Sequence, residues 1–373
     1  MSARESIIPV FVPHLGCPND CVFCNQRRIS GTQTPASAED VRKAVEEGLR
    51  RLNADRKAEK KADMKPQLAF YGGSFTAIPV KEQEALLEAA AEYLRKGLIG
   101  SVRLSTRPDA IDASVLARLK KYGVETIEIG AQSMDNEVLR LSGRGHTAED
   151  VESAAKQIKA AGFRLILQMM TGLPGDTGSR SLMTAERLIA LQPDGVRIYP
   201  TVIVKDTALY DLWKAGRYRE HTVDEAVEYC AELLTRFRAA GIPVIRLGLN
   251  PTEELSDGAA AGGAYHPALG ELVKSRLLRG EAEQLLEEYR TAAAGGTDPL
   301  KGAKVVLETT PGLISQLTGQ HRCNIAYLTE RFGLSELKVT GLPVRKTSVM
   351  QQGSGTENGL IRLVSVEISL KSN

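Results

Sequence analysis

The chain has 373 residues, 42% of them hydrophobic, which is enough apolar material for one large domain and a smaller one. Its 48 basic and 46 acidic residues give a formal net charge of +2, so global charge does not favour nucleic acid or an anionic membrane as a partner. No apolar run approaches the ~20 residues of a membrane helix and no export signal is recognisable, so a cytoplasmic location without membrane contact is expected.

Short apolar runs alternate with segments of helical period from about residue 7 to residue 247. The amphipathic segments include "SAEDVRKAVEEGLRRL", headed by Ser37, and "TAEDVESAAKQIKAAG", in which Thr147 and Asp150 form a predicted capping box and Gly162 ends the helix. The apolar runs are rich in β-branched residues, as strands are. They are "IIPVFV", "QLAFY", "VRLST", "VETIEIG", "FRLILQMM", "DGVRIYP" and "IPVIRLGL".

This alternation predicts parallel βαβ units. Two architectures are compatible with it, a complete or partial barrel and an open doubly wound sheet. No glycine fingerprint for a dinucleotide follows the first strand, and a cysteine-rich loop stands there instead. We therefore expect an α/β fold with a partial (β/α)6-type TIM barrel.

The composition changes after residue 250. "SDGAAAGGAYHPALG" is predicted to be a connector, followed by helices and then by a strand, helix, strand, strand series that forms a small C-terminal α+β appendage. We expect a core over residues 1–250, a linker with helices over 251–300 and an α+β domain over 301–373. The lysine-rich stretch "RRLNADRKAEKKADMKP" is predicted to be a solvated helix tail and loop, with RNA contact as the alternative.

Three of the five cysteines, Cys17, Cys21 and Cys24, lie within "GCPNDCVFCNQRR". An odd, clustered set is not typical of a disulfide framework and favours metal binding by thiols. Three soft ligands on one loop leave a coordination position open, either on a metal ion or on one iron of a 4Fe-4S cluster. A zinc site with His14 as fourth ligand is the alternative. Phe23 favours a cofactor with a flat ring, or else belongs to the core.

The pattern Cys-x3-Cys-x-aromatic-Cys after a first β-strand resembles the signature of the radical S-adenosylmethionine (radical SAM) superfamily. In that family three cysteines hold a 4Fe-4S cluster whose free iron chelates SAM, and one-electron reduction of SAM releases a 5'-deoxyadenosyl radical. The resemblance implies that Cys17, Cys21 and Cys24 are the metal ligands and that the cofactors are the cluster and SAM. It also implies a one-electron reductant, such as flavodoxin or ferredoxin, as a partner.

The strand ends resemble the SAM-binding turns of the same family. The Gly72-Gly73 pair resembles the turn that bonds the SAM amino group, Arg107 suits a carboxylate or ribose unless it forms a structural ion pair, and Arg144 resembles the arginine facing the SAM carboxylate. His146 is expected to order its turn. The implied SAM contacts are Phe23, Gly72, Gly73, Ser105, Arg107, Gln132, Arg144, Gln168, which replaces the family's acidic ribose ligand, and Gly172.

From Ile7 to Asn250 the chain resembles the radical SAM core of the Elongator catalytic-subunit family, which modifies the wobble uridine of tRNA. The resemblance rests on "STRPDAID", "IEIGAQSMDNEVLRLSGRGHT", "GLPGDT" and "DGVRIYPTVIVKDTALYDLWKAGRY". The acetyltransferase domain of that family does not follow. What the resemblance implies is therefore SAM cleavage, with tRNA as candidate substrate and with Tyr199 and Lys205 as candidate substrate residues.

Two other functions stay open, a coproporphyrinogen-dehydrogenase-like radical SAM oxidoreductase and a non-catalytic, zinc-stabilised RNA-binding adaptor. Residues 301–373 carry nine Lys and Arg against five acidic residues. This basic excess agrees equally well with an RNA contact and with a helix whose basic face is merely exposed to solvent. Cys230 and Cys323 are expected to be buried structural thiols. The candidate RNA contacts are Gln320, His321, Arg322, Asn324 and Tyr327, on a predicted helix.

Overall fold

The computed structural model describes residues 6–12, 21–24, 35–59, 65–249, 255–293, 298–342 and 361–368. Contacts divide the chain into two compact units, Met1–Pro267 and Ala268–Asn373. The stretch 251–300, expected to be one linker with helices, is therefore shared between the two units.

The first unit is built on a curled, parallel sheet that forms a half-barrel. In the described ranges this sheet has seven strands in the order β1-β2-β3-β4-β5-β6-β8, all paired in parallel. The expected α/β class and partial barrel are confirmed. The strands are β1 (Ile7–Val12), β2 (Gln67–Gly72), β3 (Ser101–Thr106), β4 (Val124–Gln132), β5 (Arg164–Thr171), β6 (Gly195–Pro200) and β8 (Val244–Leu247).

Helices connect the strands, as parallel pairing requires. Two predicted caps are confirmed, since Ser37 and Asp40 exchange backbone-to-side-chain bonds and Thr147 and Asp150 form a full capping box. The helices are α1 (Ala38–Glu59), α2 (Val80–Arg95), α3 (Ala113–Lys121), α4 (Asn136–Leu141), α5 (Ala148–Ala160), α6 (Gly178–Ala190), α7 (Ala208–Lys214) and α8 (Val223–Ala239).

The two faces of the sheet differ in chemistry. Alternate strand residues such as Leu104 and Ile127 are fully buried and form the core beneath the helices. The intervening positions line the inside of the half-barrel and include the buried charged residues Arg103 and Glu128. Strands of parallel sheets are commonly apolar on both faces, so buried charged residues inside the half-barrel are unusual and need partners there.

A short antiparallel ribbon lies beyond the sheet. Its strands are β7 (Val202–Val204) and β9 (Ala260–Gly263), and β9 falls in the stretch predicted to be a plain connector, so that prediction is wrong there. Gly263 has φ +78°, and a Cβ at this position would lie 2.7 Å from the Thr201 carbonyl oxygen. Glycine is therefore required at position 263 both by its positive φ and by the closeness of the neighbouring backbone.

The second unit has the expected α+β order after an opening helix. Its three-stranded sheet, counted over the described residues, has the order β11-β10-β12, with β10 parallel to β11 and antiparallel to β12. Buried side chains such as Leu307, Leu328 and Phe332 form its core. The elements are α9 (Leu269–Ala292), β10 (Ala303–Thr309), α10 (Ile314–Thr318), α11 (Cys323–Phe332), β11 (Glu336–Gly341) and β12 (Ile361–Ile368).

Two expectations for this unit are wrong. Cys323 is exposed at the start of α11, so it is not a buried thiol. Asn324 is only 2% exposed, and its amide donates to Ser275, Gln316 and Leu317, so it is a structural residue and does not face solvent for an RNA contact. No helix in the described part of the chain combines the length and apolar character that a membrane crossing requires.

Candidate active site

The described part of the cysteine loop is a tight turn over residues 21–24, here called the cysteine turn. The Cys24 amide donates to the Cys21 carbonyl oxygen at 2.9 Å, which closes the turn. The Val22 amide donates to Ser142 O at 3.1 Å, and Val22 O accepts from the Leu209 amide at 2.7 Å. The turn is therefore held on both sides by the protein backbone. Cys17, and His14 of the zinc alternative, lie outside the described residues.

Phe23 fixes the cysteine turn from its apolar side. With Val22 it packs against a cluster formed by Ile203, Leu209 and Tyr218. These contacts agree with the alternative in which Phe23 belongs to the core. The side chain therefore helps to hold the turn in place.

Arg144 connects the cysteine turn with the end of β4. Its Nη1 donates to Cys21 Sγ at 3.4 Å and its Nη2 donates to Gly130 O at 2.7 Å. Its own carbonyl oxygen accepts from Arg107 Nη2 at 2.8 Å. A cation is thereby held beside the one described thiol that is buried at this edge.

Arg107 is engaged in a structural ion pair. Its Nε and Nη2 donate to the two carboxylate oxygens of Asp109, each at 2.9 Å, and the guanidinium is almost fully buried. This bidentate geometry agrees with the structural alternative for Arg107. Through the Arg144 carbonyl the same side chain also supports the turn that carries Arg144.

The Gly72-Gly73 pair closes the edge between the first two strands. Gly72 has φ +106°, and a Cβ there would lie 2.6 Å from Val12 O. The Gly73 amide donates to the same oxygen at 2.8 Å. Backbone approach from β1 therefore already accounts for the glycine at position 72.

The ends of β4 and β5 bring two glutamines together. Gln132 has φ +66° and lies at a register shift between these strands, which turns its side chain toward Gln168. Gln168 Nε2 donates to Gln132 Oε1 at 3.2 Å. A Cβ on Gly130 would lie 3.0 Å from Gln132 Nε2 and 3.4 Å from Arg144 Nη2. The structure thus gathers Cys21, Arg144, both glutamines and this glycine at one edge.

The turn after β5 is clamped by residues that the sequence did not single out. Gly172 has φ +73°, and a Cβ there would lie 2.3 Å from His221 Cγ. The Tyr218 hydroxyl donates to Gly172 O at 2.6 Å, and Gly172 N donates to Asp176 Oδ2 at 2.8 Å. Burial raises the pKa of Asp176 and lowers that of His221. The glycine turn is therefore a rigid element.

His146 orders the turn that holds Arg144. Its Nε2 lies 3.2 Å from Ala131 O, within hydrogen-bond distance. Burial, together with the charge of Arg144, lowers the pKa of His146 to about 4. The ring is therefore neutral near physiological pH and donates to that carbonyl oxygen.

The inside of the half-barrel holds a charged network that the sequence analysis missed. Glu128 accepts from Arg103 Nη1 at 2.9 Å and lies 2.9 Å from Arg197 Nε. Arg197 also donates to the hydroxyls of Tyr71 at 2.7 Å and Tyr199 at 3.2 Å. Charged residues inside three largely apolar runs, Arg103, Glu128 and Arg197, were the available signal in the sequence. Two guanidiniums share one carboxylate, so the network carries a net positive charge.

The remaining predicted residues differ in placement. Tyr199 joins the interior network, and Ser105 lies on the inner face of β3 in register with Glu128. Lys205 is exposed at the end of the β7–β9 ribbon, where its amide donates to Ala259 O at 2.9 Å. No contact within the described ranges joins Lys205 to the interior network.

The chemistry of the cysteine turn fits an iron–sulfur cluster. Cys21 and Cys24 offer two thiols from one rigid turn, and an N–H donor with positive charge faces the first. Among the residues that the structure describes, no three His, Cys, Asp or Glu side chains form another metal site. Cys17, outside those residues, would supply the third thiol.

A half-barrel with a cysteine turn over the strand ends defines a class of enzyme that carries its reactive group at the carboxyl edge of the sheet. Residues 11–188 match the family model described as the Radical SAM superfamily, and residues 193–279 match the Radical SAM C-terminal domain. The chain belongs to the radical SAM superfamily and is an enzyme of that kind.

Relatives extend this similarity to Elongator-type proteins. Elongator complex protein 3 of Homo sapiens is 30% identical over 191 residues, which cover 46% of this chain and 35% of that protein. A tRNA uridine(34) acetyltransferase of Methanocaldococcus infernus is 29% identical over 184 residues, covering 44% and 34%. An uncharacterized protein of Methanocaldococcus jannaschii is 32% identical over 232 residues, covering 58% and 67%. The chain thus spans about a third of the length of the first two relatives.

A solved structure supports the fold. The archaeal Elp3 of Methanocaldococcus infernus, with an N-terminal deletion, superposes with a TM-score of 0.56 at 20% identity, covering 81% of this chain and 71% of that one. At this identity the likeness concerns the fold alone.

Proposed function

We propose that Cys17, Cys21 and Cys24 hold a 4Fe-4S cluster, that SAM binds beside it, and that the substrate is an RNA of the tRNA class. The observation that carries this proposal is the buried Cys21 thiol, fixed by its turn and by Arg144 at the same edge as two paired glutamines. When bound, the cluster supplies the electron that splits SAM into methionine and a 5'-deoxyadenosyl radical.

The surrounding residues have separate tasks in this proposal. Gln132 and Gln168 present amide groups to the ribose hydroxyls, and Arg144 supplies the positive charge that the SAM carboxylate requires. The turn at Gly172, which is held by its hydrogen bonds, supports the adenine end of the bound SAM. Arg107 acts indirectly, because its guanidinium already donates to Asp109 and to the Arg144 carbonyl oxygen. Ser105 and the Gly72-Gly73 pair lie at the same edge of the sheet, and no specific bond to SAM is assigned to them.

The RNA part of the proposal rests on two kinds of support. The relatives include a tRNA uridine(34) acetyltransferase, and an Elongator subunit. In the second unit, Gln320, His321 and Arg322 are exposed, and Tyr327 is 36% exposed with the Arg279 guanidinium 4.4 Å from its ring centre. Exposed basic and aromatic groups suit phosphate contacts and base stacking. A flavodoxin or a ferredoxin is the proposed electron donor.

Formation of 5'-deoxyadenosine tests the substrate class. The full chain, reconstituted and reduced under anaerobic conditions, would be given SAM with and without unmodified tRNA transcripts. We expect RNA to increase the rate several-fold, and we expect Arg322→Ala to reduce that increase while leaving the RNA-independent rate unchanged. Glu330→Ala, an exposed change on α11, is the control. An unchanged rate with RNA would refute the tRNA assignment, and a colourless, zinc-loaded protein would refute the proposed 4Fe-4S cluster.

A further inference from the structure

Arg144 faces the cysteine turn with a hydrogen bond to sulfur. We propose that this bond makes Arg144 a positioning residue that raises the reduction potential of the cluster, in addition to any contact with SAM. The inference rests on the proposed function, since it requires a cluster on Cys21.

The guanidinium is held in place from several directions. Nη1 lies 3.4 Å from Cys21 Sγ, and Nη2 is fixed by Gly130 O at 2.7 Å. The backbone of Arg144 is fixed as well, because its amide donates to Leu139 O at 3.0 Å and its carbonyl accepts from Arg107 at 2.8 Å. With the residue only 8% exposed, the contact to sulfur is a fixed feature of the fold.

The two partners also belong to backbone segments that are bonded to each other. Val22, the neighbour of Cys21, donates its amide to Ser142 O at 3.1 Å, two residues before Arg144. This bond holds the backbone next to Cys21 against the backbone next to Arg144. The contact therefore does not depend on the side chains alone.

A cationic N–H donor beside a ligand sulfur favours the cluster state with more negative charge. Reduction adds one electron, so the reduced state gains more from the donor than the oxidised state does, and the potential rises. Burial strengthens the effect, because a buried site screens charge less than water does. A cluster with a raised potential accepts its electron more easily from a weak donor.

Redox titration followed by electron paramagnetic resonance tests the inference, on the full chain without SAM. We expect Arg144→Gln to shift the midpoint potential to a more negative value and Arg144→Lys, which keeps the charge, to shift it less. Arg140→Gln is the matched control, because it removes one positive charge from an exposed site on the same segment that is paired with Glu137. We expect it to leave the potential unchanged.

Iron and sulfide content of each variant separates the outcomes. If Arg144→Gln has a full cluster and the same potential as Arg140→Gln, the inference is overturned while the proposed function stands. If Arg144→Gln does not retain a cluster, the comparison of Arg144→Lys with wild type decides, and equal potentials would overturn the inference. A wild-type protein that binds no iron would refute the proposed function and the inference together.

Discussion

Glu128 shows how single residues shape the interior of the half-barrel. It is 3% exposed and pairs with two arginines, Arg103 on β3 and Arg197 on β6. A buried carboxylate that loses its charge leaves its partners uncompensated, which is more costly than losing a surface pair.

We therefore predict that Glu128→Gln lowers the free energy of unfolding by about 3 kcal/mol. Denaturation by urea would measure the loss. Glu137→Gln is the control, because its ion pair with Arg140 is exposed to solvent, and it should cost much less stability than Glu128→Gln. A cost for Glu128→Gln as small as that of the control would contradict the role of the network.

His146 gives a prediction about pH. Its pKa in the folded chain is about 4, below the ordinary value of 6.5, so the unfolded chain binds more protons between these two pH values. Stability should fall as the pH decreases through this range, by on the order of 3 kcal/mol from this one group. His221, whose pKa burial also lowers, adds to the same trend.

His146→Gln should flatten this dependence, because an amide can still donate to Ala131 O but does not titrate. Urea denaturation at several pH values between 4 and 7 measures the slope, with the exposed His321→Gln as control. An equal slope in wild type and His146→Gln would show that His146 does not titrate as described.

At the scale of elements, the turn that ends β2 depends on one glycine. Gly72→Ala would place a Cβ 2.6 Å from Val12 O at φ +106°, whereas Gly216→Ala has a positive φ but no heavy atom within 4 Å. We predict that Gly72→Ala costs at least about 2 kcal/mol more than Gly216→Ala, because strain and overlap add. Equal unfolding free energies of the two variants would refute the close approach of β1.

Asn324 ties three helices of the second unit together. Its amide donates to Ser275 on α9 and to the carbonyls of Gln316 and Leu317 on α10. Asn324→Ala should lower stability by about 2 kcal/mol, since three buried acceptors lose their donor. Hydrogen exchange of the β10 amides would report the loss, with the exposed Gln320→Ala as control. Weaker RNA binding with unchanged exchange would instead support a role at the surface.

At the scale of the whole molecule, the sequence predicted what depends on local pattern. The apolar runs predicted the seven parallel strands of the sheet as the structure describes it, and Ser37 and Thr147 predicted helix starts, because strand and helix periods and caps are local properties. The cysteine-rich loop expected after the first strand is described at residues 21–24, where the chain forms a tight turn.

Features that depend on contacts between distant segments could not be predicted in this way. The pairing of β7 with β9, the network around Glu128 and the clamp on Gly172 join residues far apart in the chain. For Arg107 and Phe23 the sequence left two alternatives open, a cofactor contact and a structural role, and it could not name the protein partners, Asp109 and an apolar cluster. The contacts of a side chain are set by packing between distant segments, whereas its place in a helix or a strand follows from the local sequence.

The central claim is that the cysteine loop carries a cluster that cleaves SAM. The most direct measurement combines iron and sulfide content with 5'-deoxyadenosine formation, in wild type and in the variant with Cys17, Cys21 and Cys24 all changed to Ala. From this claim we expect a brown wild-type protein that forms 5'-deoxyadenosine on reduction, and a colourless, folded variant that forms none. Equal 5'-deoxyadenosine formation by the triple variant would contradict it.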